Sequence, residues 1–192
     1  LILHGAWRHH EAALSEGPVS IARTADGWRL ETTQVFHAPL EKVFDFFADA
    51  GNLQAITPDH LRFEILTPLP IDMHDGTRID YRIRLLGVPM KWKTVIPTWE
   101  PPHRFVDQQI SGPYHRWIHE HRFETEGDRV IMHDRVDYRP RGGPLIHRLF
   151  VADQLKSIFN FRRRVLAERF ATSTDQPSDA VPAQPTAVLS PA

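Results

Sequence analysis

His119 and His121 stand two residues apart in a run, 114–124, whose alternation reads as a β-strand. Alternate residues of a strand share a face. One face therefore carries His115, Trp117, His119, His121 and Phe123, and the other Tyr114, Arg116, Ile118, Glu120, Arg122 and Glu124. The charged face belongs to solvent, which turns the aromatic and imidazole face inward. The next run, 129–138, places Val130, Met132, Asp134, Val136 and Tyr138 inward. Two inward imidazoles beside an inward carboxylate fit three roles. As core groups, they hydrogen-bond to Asp134 or to backbone, because buried polar groups need partners. As ligand contacts, they hold a carbonyl, hydroxyl or quinone oxygen. As catalysts, they are a general acid and base, with Asp134 orienting one ring. The two Cα atoms lie about 6.6 Å apart, so both rings reach one ion, but His115 is roughly 13 Å from His119, too far to join them. No resident metal and no cofactor are expected. The chain has no cysteine, which excludes disulfide scaffolds, zinc ribbons, thiol nucleophiles and iron–sulfur clusters. It also lacks a serine nucleophile elbow, a phosphate-binding glycine loop and an HExxH motif.

The elements that must position these residues follow from the periodicities. Residues 28–37 alternate as a first strand. Pro39 then sits where a helix takes its first residue, and Leu40, Val43, Phe44 and Phe47 recur at helical spacing up to Ala50-Gly51. A second short helix is predicted over 52–56, stopped by Thr57-Pro58 because a residue before proline is pushed out of the helical region. Six strands follow, at 61–67, 77–86, 90–99, 105–110, 114–124 and 129–138, separated by proline- and glycine-bearing turns. Gaps this short hold no crossover helix, so neighbours run antiparallel. A last helix is predicted from Gly143 to about Ala171, with Leu145, Leu149, Ala152, Leu155, Ile158, Phe159, Leu166 and Phe170 on one apolar stripe. Its basic residues, Arg148, Lys156, Arg162, Arg163, Arg164 and Arg169, are placed on the exposed side. The fold class is α+β: seven antiparallel strands in one curved sheet, a long C-terminal helix, and two short helices between strands one and two.

The ends differ from the middle in composition. Residues 1–27 are an appendage with one short helix around His9–Ser15, and 172–192, rich in Pro, Ala, Ser and Thr, form a disordered tail. The domain spans 28–171. With 23 basic and 24 acidic residues the charge is near neutral, which argues against a nucleic-acid partner, and no apolar run approaches the roughly 18 residues of a transmembrane helix. The start, Leu1-Ile2-Leu3-His4, has neither a basic nor a long apolar signal region, so a cytoplasmic location is expected, with at most weak peripheral membrane contact through the basic helix. Oligomeric state is not specified by these patterns.

Three segments carry a family resemblance: Ala38-Pro39-Leu40-Glu41-Lys42-Val43-Phe44-Asp45-Phe46-Phe47, Trp99-Glu100-Pro101-Pro102-His103-Arg104-Phe105, and Gly112-Pro113-Tyr114-His115-Arg116-Trp117-Ile118-His119-Glu120-His121-Arg122-Phe123. Over about residues 28–170 the chain resembles the SRPBCC superfamily, the START or birch-pollen-allergen helix-grip fold. The third segment is similar to a bacterial subgroup described as cyclase/dehydrase-like or related to coenzyme Q-binding proteins. The resemblance implies a mostly apolar cavity between the sheet and the terminal helix. By alternation, Thr77, Ile79, Tyr81, Ile83 and Leu85 face it, as do Met90, Trp92, Thr94, Ile96 and Thr98. The candidate ligand-binding residues are Tyr81, Ile83, Met90, Trp92, Trp117, His119, His121, Met132, Asp134, Tyr138, Ile158 and Phe159. The proline-rich loop 68–76 replaces the glycine-rich loop of plant members and either gates the cavity or packs. The superfamily hosts many functions, so three stay in view. The first is binding or transport of a small hydrophobic or amphipathic molecule. The second is a polyketide cyclase or dehydratase using His119, His121 and Asp134. The third is a protein-interaction module resembling chaperone co-activators.

Overall fold

A computed structural model describes residues 16–85 and 87–171. The order is β1 (Gly17–Thr24), β2 (Gly27–Phe36), α1 (Leu40–Ala48), 3-10 turns at Ala50–Leu53 and Asp59–Leu61, β3 (Glu64–Ile65), β4 (Arg78–Leu85), β5 (Val88–Glu100), β6 (Arg104–Ser111), β7 (Tyr114–Glu126) and β8 (Arg129–Pro140). There follows a continuous helix made of α2 (Gly143–Ile146), a π-helical turn (His147–Val151) and α3 (Ala152–Arg169). All strands join one antiparallel sheet in the order β1-β2-β8-β7-β6-β5-β4-β3. The α+β class and the long terminal helix agree with the sequence patterns, and the described residues hold eight strands rather than seven.

The additional strand is β1, inside the stretch read as an appendage. Only Val19 and Ile21 give it an apolar face, and Pro18 is tolerable because the strand lies at a sheet edge. Arg163 of α3 fastens this edge. Its Nη1 donates to Thr32 Oγ1 (2.6 Å), to the Thr33 carbonyl (2.8 Å) and to the Gly17 carbonyl, while Gln34 Nε2 donates back to the Arg163 carbonyl at 2.7 Å. The proposed helix at His9–Ser15 and the tail at 172–192 lie outside the described residues.

Two core clusters sit on the inward face. In the first, α1 presents Val43, Phe44, Phe46 and Phe47 to Phe36, Phe105, Phe123, Val130 and Met132, closed by Leu166 and Phe170. In the second, Leu155 and Phe159 of α3 meet Leu30, Ile83, Trp92, Tyr114, Trp117, Val136 and Tyr138. Burying large apolar side chains of this kind contributes about 1.5–3 kcal/mol each.

Four expectations need correction. The helix predicted over 52–56 is instead the tight turn Ala50–Leu53, begun by the Asp49 carboxylate accepting from Gly51 N at 2.8 Å. The strand predicted over 61–67 shrinks to Glu64–Ile65, since Leu61 closes a 3-10 turn and the Leu66 and Thr67 amides both donate to the Asp80 carbonyl. A register shift between Tyr114 and Arg116 advances the alternation by one, so Tyr114 is buried and His115 exposed, the reverse of the simple pattern. The π-helical turn changes the phase of the last helix. Leu145 and Leu149, expected on the buried stripe, are exposed, and His147 turns inward instead.

His147 lies under Trp28, with ring centroids 3.9 Å apart, and shares a 2.9 Å hydrogen bond with the Tyr138 hydroxyl. Burial holds its pKa below the usual histidine value. A group with a depressed folded pKa favours the folded state where it is neutral. Its contribution is complete above about pH 6.5 and declines as the pH falls toward the folded value. A His147→Gln variant is therefore expected to lose less stability between pH 7 and pH 5 than the parent, by at most about 1.4 kcal/mol per pH unit. Thermal melts across that range check it, and parallel curves for the two proteins would contradict it.

Candidate functional site

The site begins with strand register. Asp107 on β6 pairs across from His119 on β7, and His121 on β7 pairs across from Asp134 on β8. Opposed residues bring their Cβ atoms to about 4.5–5.5 Å, and the diagonal neighbours remain within reach. Each imidazole thus lies between two carboxylates. His119 Nδ1 is 3.3 Å from Asp107 Oδ2 and its Nε2 3.1 Å from Asp134 Oδ1. His121 Nε2 is 3.4 Å from Asp107 Oδ2. His121 Nδ1 approaches Asp134 Oδ1 to 2.7 Å but out of hydrogen-bond alignment. The imidazole centroids are 3.8 Å apart, and Phe105 stacks on His121 at 4.2 Å.

His119, His121 and Asp134 are all at most 5 % exposed, so the charges act in a poorly screened setting. Burial alone disfavours each charged form. For Asp107 and Asp134 the two imidazoles outweigh it and hold both carboxyls well below the usual carboxylate range. For His119, burial is likewise outweighed by Asp107 and Asp134, and its pKa is raised. On the reverse face of β7, Glu120 is buried against Arg104 (2.7 Å) and Arg135 (2.8 Å), so the sheet beneath the cluster is pinned by ion pairs.

The cluster forms one end of a cavity of about 160 Å³ lying between the two core clusters. Its walls come from β4 and β5 (Ile79, Tyr81, Ile83, Trp92, Thr94, Ile96), from β7 (Tyr114, Trp117) and from α3 (Leu155, Ile158, Phe159, Arg162). The remainder comes from α1 and the turns after it, including Phe46, Phe47, Asn52, Leu53 and Ile56, with Met73 contributed by the loop 68–76. Tyr81 places its hydroxyl 3.2 Å from Thr94 Oγ1, and burial pushes its pKa well up. Two wall residues hold buried donors that find no partner in the protein: Trp92 Nε1, and Nε and Nη1 of Arg162.

Of the residues singled out in the sequence, Tyr81, Ile83, Trp92, Trp117, His119, His121, Ile158 and Phe159 line this cavity. Met90, Met132, Asp134 and Tyr138 do not. Met90 packs at the margin of the second cluster, Met132 is part of the first, and Tyr138 is engaged by His147. Asp134 stands behind the two imidazoles. Two important residues escape the sequence patterns. Asp107 lies in a run with adjacent apolar residues, Phe105 and Val106, which leaves the inward face ambiguous. Arg162 reads as part of an exposed basic stripe, but its guanidinium lies over the Phe159 ring, 5.3 Å from the centroid, at the cavity wall.

An antiparallel sheet that closes an apolar cavity against a long C-terminal helix defines a helix-grip protein. The family described as polyketide cyclase / dehydrase and lipid transport matches residues 36–162, and the chain belongs to that family, within the SRPBCC superfamily. No curated protein matches the sequence. Among solved structures, the chain is similar to protein Ms6760 from Mycobacterium smegmatis, with TM-score 0.58, 18 % identity, and 79 % of this chain and 99 % of that one covered. It is similar to a protein from Arthrobacter aurescens, with TM-score 0.59 at 12 % identity over 79 % and 93 % of the two chains. It also resembles ginseng major latex-like protein 151 from Panax ginseng, with TM-score 0.50 at 11 % identity over 74 % and 97 %. At these identities the likeness is one of fold. No helix among the described residues is long and apolar enough to cross a membrane.

Proposed function

We propose that the protein binds a small amphipathic molecule, its apolar body among Ile83, Trp92, Trp117, Ile158 and Phe159 and its oxygen-bearing end toward the polar side chains. The observation that carries this reading is the unpartnered donors at the wall, Trp92 Nε1 and Arg162 Nε and Nη1, in a cavity otherwise walled mainly by apolar side chains. Buried donors without partners cost about 1–3 kcal/mol each, more when charged, and acceptor oxygens on a ligand would relieve that cost. The space of about 160 Å³ is close to the roughly 150 Å³ that holds a benzene ring, so it is of the size of a single ring. The family's description, which includes lipid transport, supports ligand carriage as the biological use.

Titration with a matched pair, an aromatic carboxylic acid and its neutral amide, tests the polar contact. Arg162→Met should weaken the acid by about 10- to 100-fold, the value of a charged hydrogen bond, and leave the amide nearly unchanged. Equal weakening of both, or of neither, would remove Arg162 from the site.

A second reading is favoured by the cluster itself. A cyclase or dehydratase needs an imidazole held by a carboxylate at the substrate cavity, and His119 and His121 line the cavity with Asp134 behind them. The two readings separate on one substitution. His119→Ala changes affinity alone in a carrier, whereas in an enzyme it removes turnover by about 10²–10⁴-fold.

A further inference from the structure

Asp107, His119 and His121 present three donor atoms that lie within 4.8 Å of one another, all on adjacent strands of a rigid sheet. Asp107 Oδ2 is 3.3 Å from His119 Nδ1 and 3.4 Å from His121 Nε2. A tetrahedral ion with bonds of about 2.0–2.1 Å sets its ligands about 3.3–3.4 Å apart, and the two separations from Asp107 match that spacing. We infer that Asp107, His119 and His121 form a binding site for a first-row divalent cation of the zinc class, with the remaining coordination position facing the cavity.

Two observations beyond the donor spacing support the assignment. The ring nitrogens turned away from the site, His119 Nε2 and His121 Nδ1, both approach one oxygen, Asp134 Oδ1, at 3.1 and 2.7 Å. A carboxylate behind a ligating histidine fixes the ring and its tautomer, and outer carboxylates of this kind are typical of protein metal sites. Charge balance is the second. The buried Asp134 and the partly exposed Asp107 carry two negative charges against the two imidazoles, and one divalent ion between neutral imidazoles would offset both. Imidazole nitrogen together with a carboxylate favours zinc and its neighbours over magnesium or calcium, which take oxygen ligands. Three protein ligands with one position left to an oxygen donor is the arrangement of reactive rather than structural zinc sites. This site does not depend on the organic ligand proposed above, because its test uses the metal alone.

The test is calorimetric titration of the chelator-treated full chain with zinc(II), followed by cobalt(II) substitution. His4, His9 and His10 near the start of the chain can bind zinc weakly, so the variants decide the matter. The expected result is one zinc per chain. His119→Ala and Asp107→Asn should each weaken that binding by at least about 100-fold, and Asp134→Asn by about 10- to 100-fold through the outer contact. Cobalt(II) bound to the parent should give the intense visible bands of a tetrahedral site, a readout that does not rely on any variant folding. Binding that survives His119→Ala, or cobalt that shows only the pale spectrum of the hydrated ion, would overturn the assignment.

Discussion

Asp134→Asn is expected to lower the stability of the metal-free protein by about 3–5 kcal/mol, the cost of breaking a buried ion pair from one side. In a domain of this size that amounts to a fall of roughly 6–20 °C in Tm, at about 2–4 °C per kcal/mol. The substitution keeps the shape of the side chain, removes its charge and replaces one accepting oxygen with a donating NH2. Asp134 is 5 % exposed and meets His119 Nε2 and His121 Nδ1 through a single oxygen. Without its charge, two buried imidazoles are left to Asp107 alone, which is the more solvent-exposed carboxylate of the pair. A melt within 2 °C of the parent would mean that the four side chains are mutually indifferent, and would remove the electrostatic account of the cluster.

The second large effect is steric. Ile158 is half-buried on α3 and lines the cavity opposite β4 and β5. Ile158→Trp should fill much of the 160 Å³ space, abolishing binding of an aromatic acid by at least about 100-fold, or ~2.7 kcal/mol. Melting should be unchanged or slightly raised, because filling a cavity restores contacts its lining lacks. Ligand titration with a parallel melt checks both halves. Undiminished binding would place the ligand elsewhere, and a collapsed melt would show that this region is packed rather than hollow.

Much of this is legible in the sequence, for identifiable reasons. The strand 77–86 carries clear alternation between charged and apolar residues, as in Arg78-Ile79-Asp80-Tyr81-Arg82-Ile83, and its inward face follows directly. The His119, His121 and Asp134 constellation follows from the same alternation. What alternation cannot register is a change of phase. One extra residue at the Tyr114–Arg116 bulge exchanges Tyr114 for His115, and the π-helical turn at His147–Val151 exposes Leu145 and Leu149 while burying a histidine. β1 escapes because an edge strand needs only one apolar face and two residues, Val19 and Ile21, to supply it. Arg162 and Arg163 look like solvent residues by type. Their long side chains instead run back from α3 to the sheet, one to the cavity wall and one to the β1–β2 edge. Asp107 is the costliest omission, since it converts a pair of histidines and a carboxylate into a closed four-residue cluster.

The most direct test of ligand binding is native mass spectrometry of the full chain purified from the cells that make it, with extraction of whatever accompanies it. The account predicts a stoichiometric added mass that extracts as a small amphipathic molecule with an apolar ring or chain and an oxygen-bearing end, and that is absent from Ile158→Trp. A bare chain, together with no thermal shift in the presence of aromatic acids, fatty acids or quinones, would contradict it.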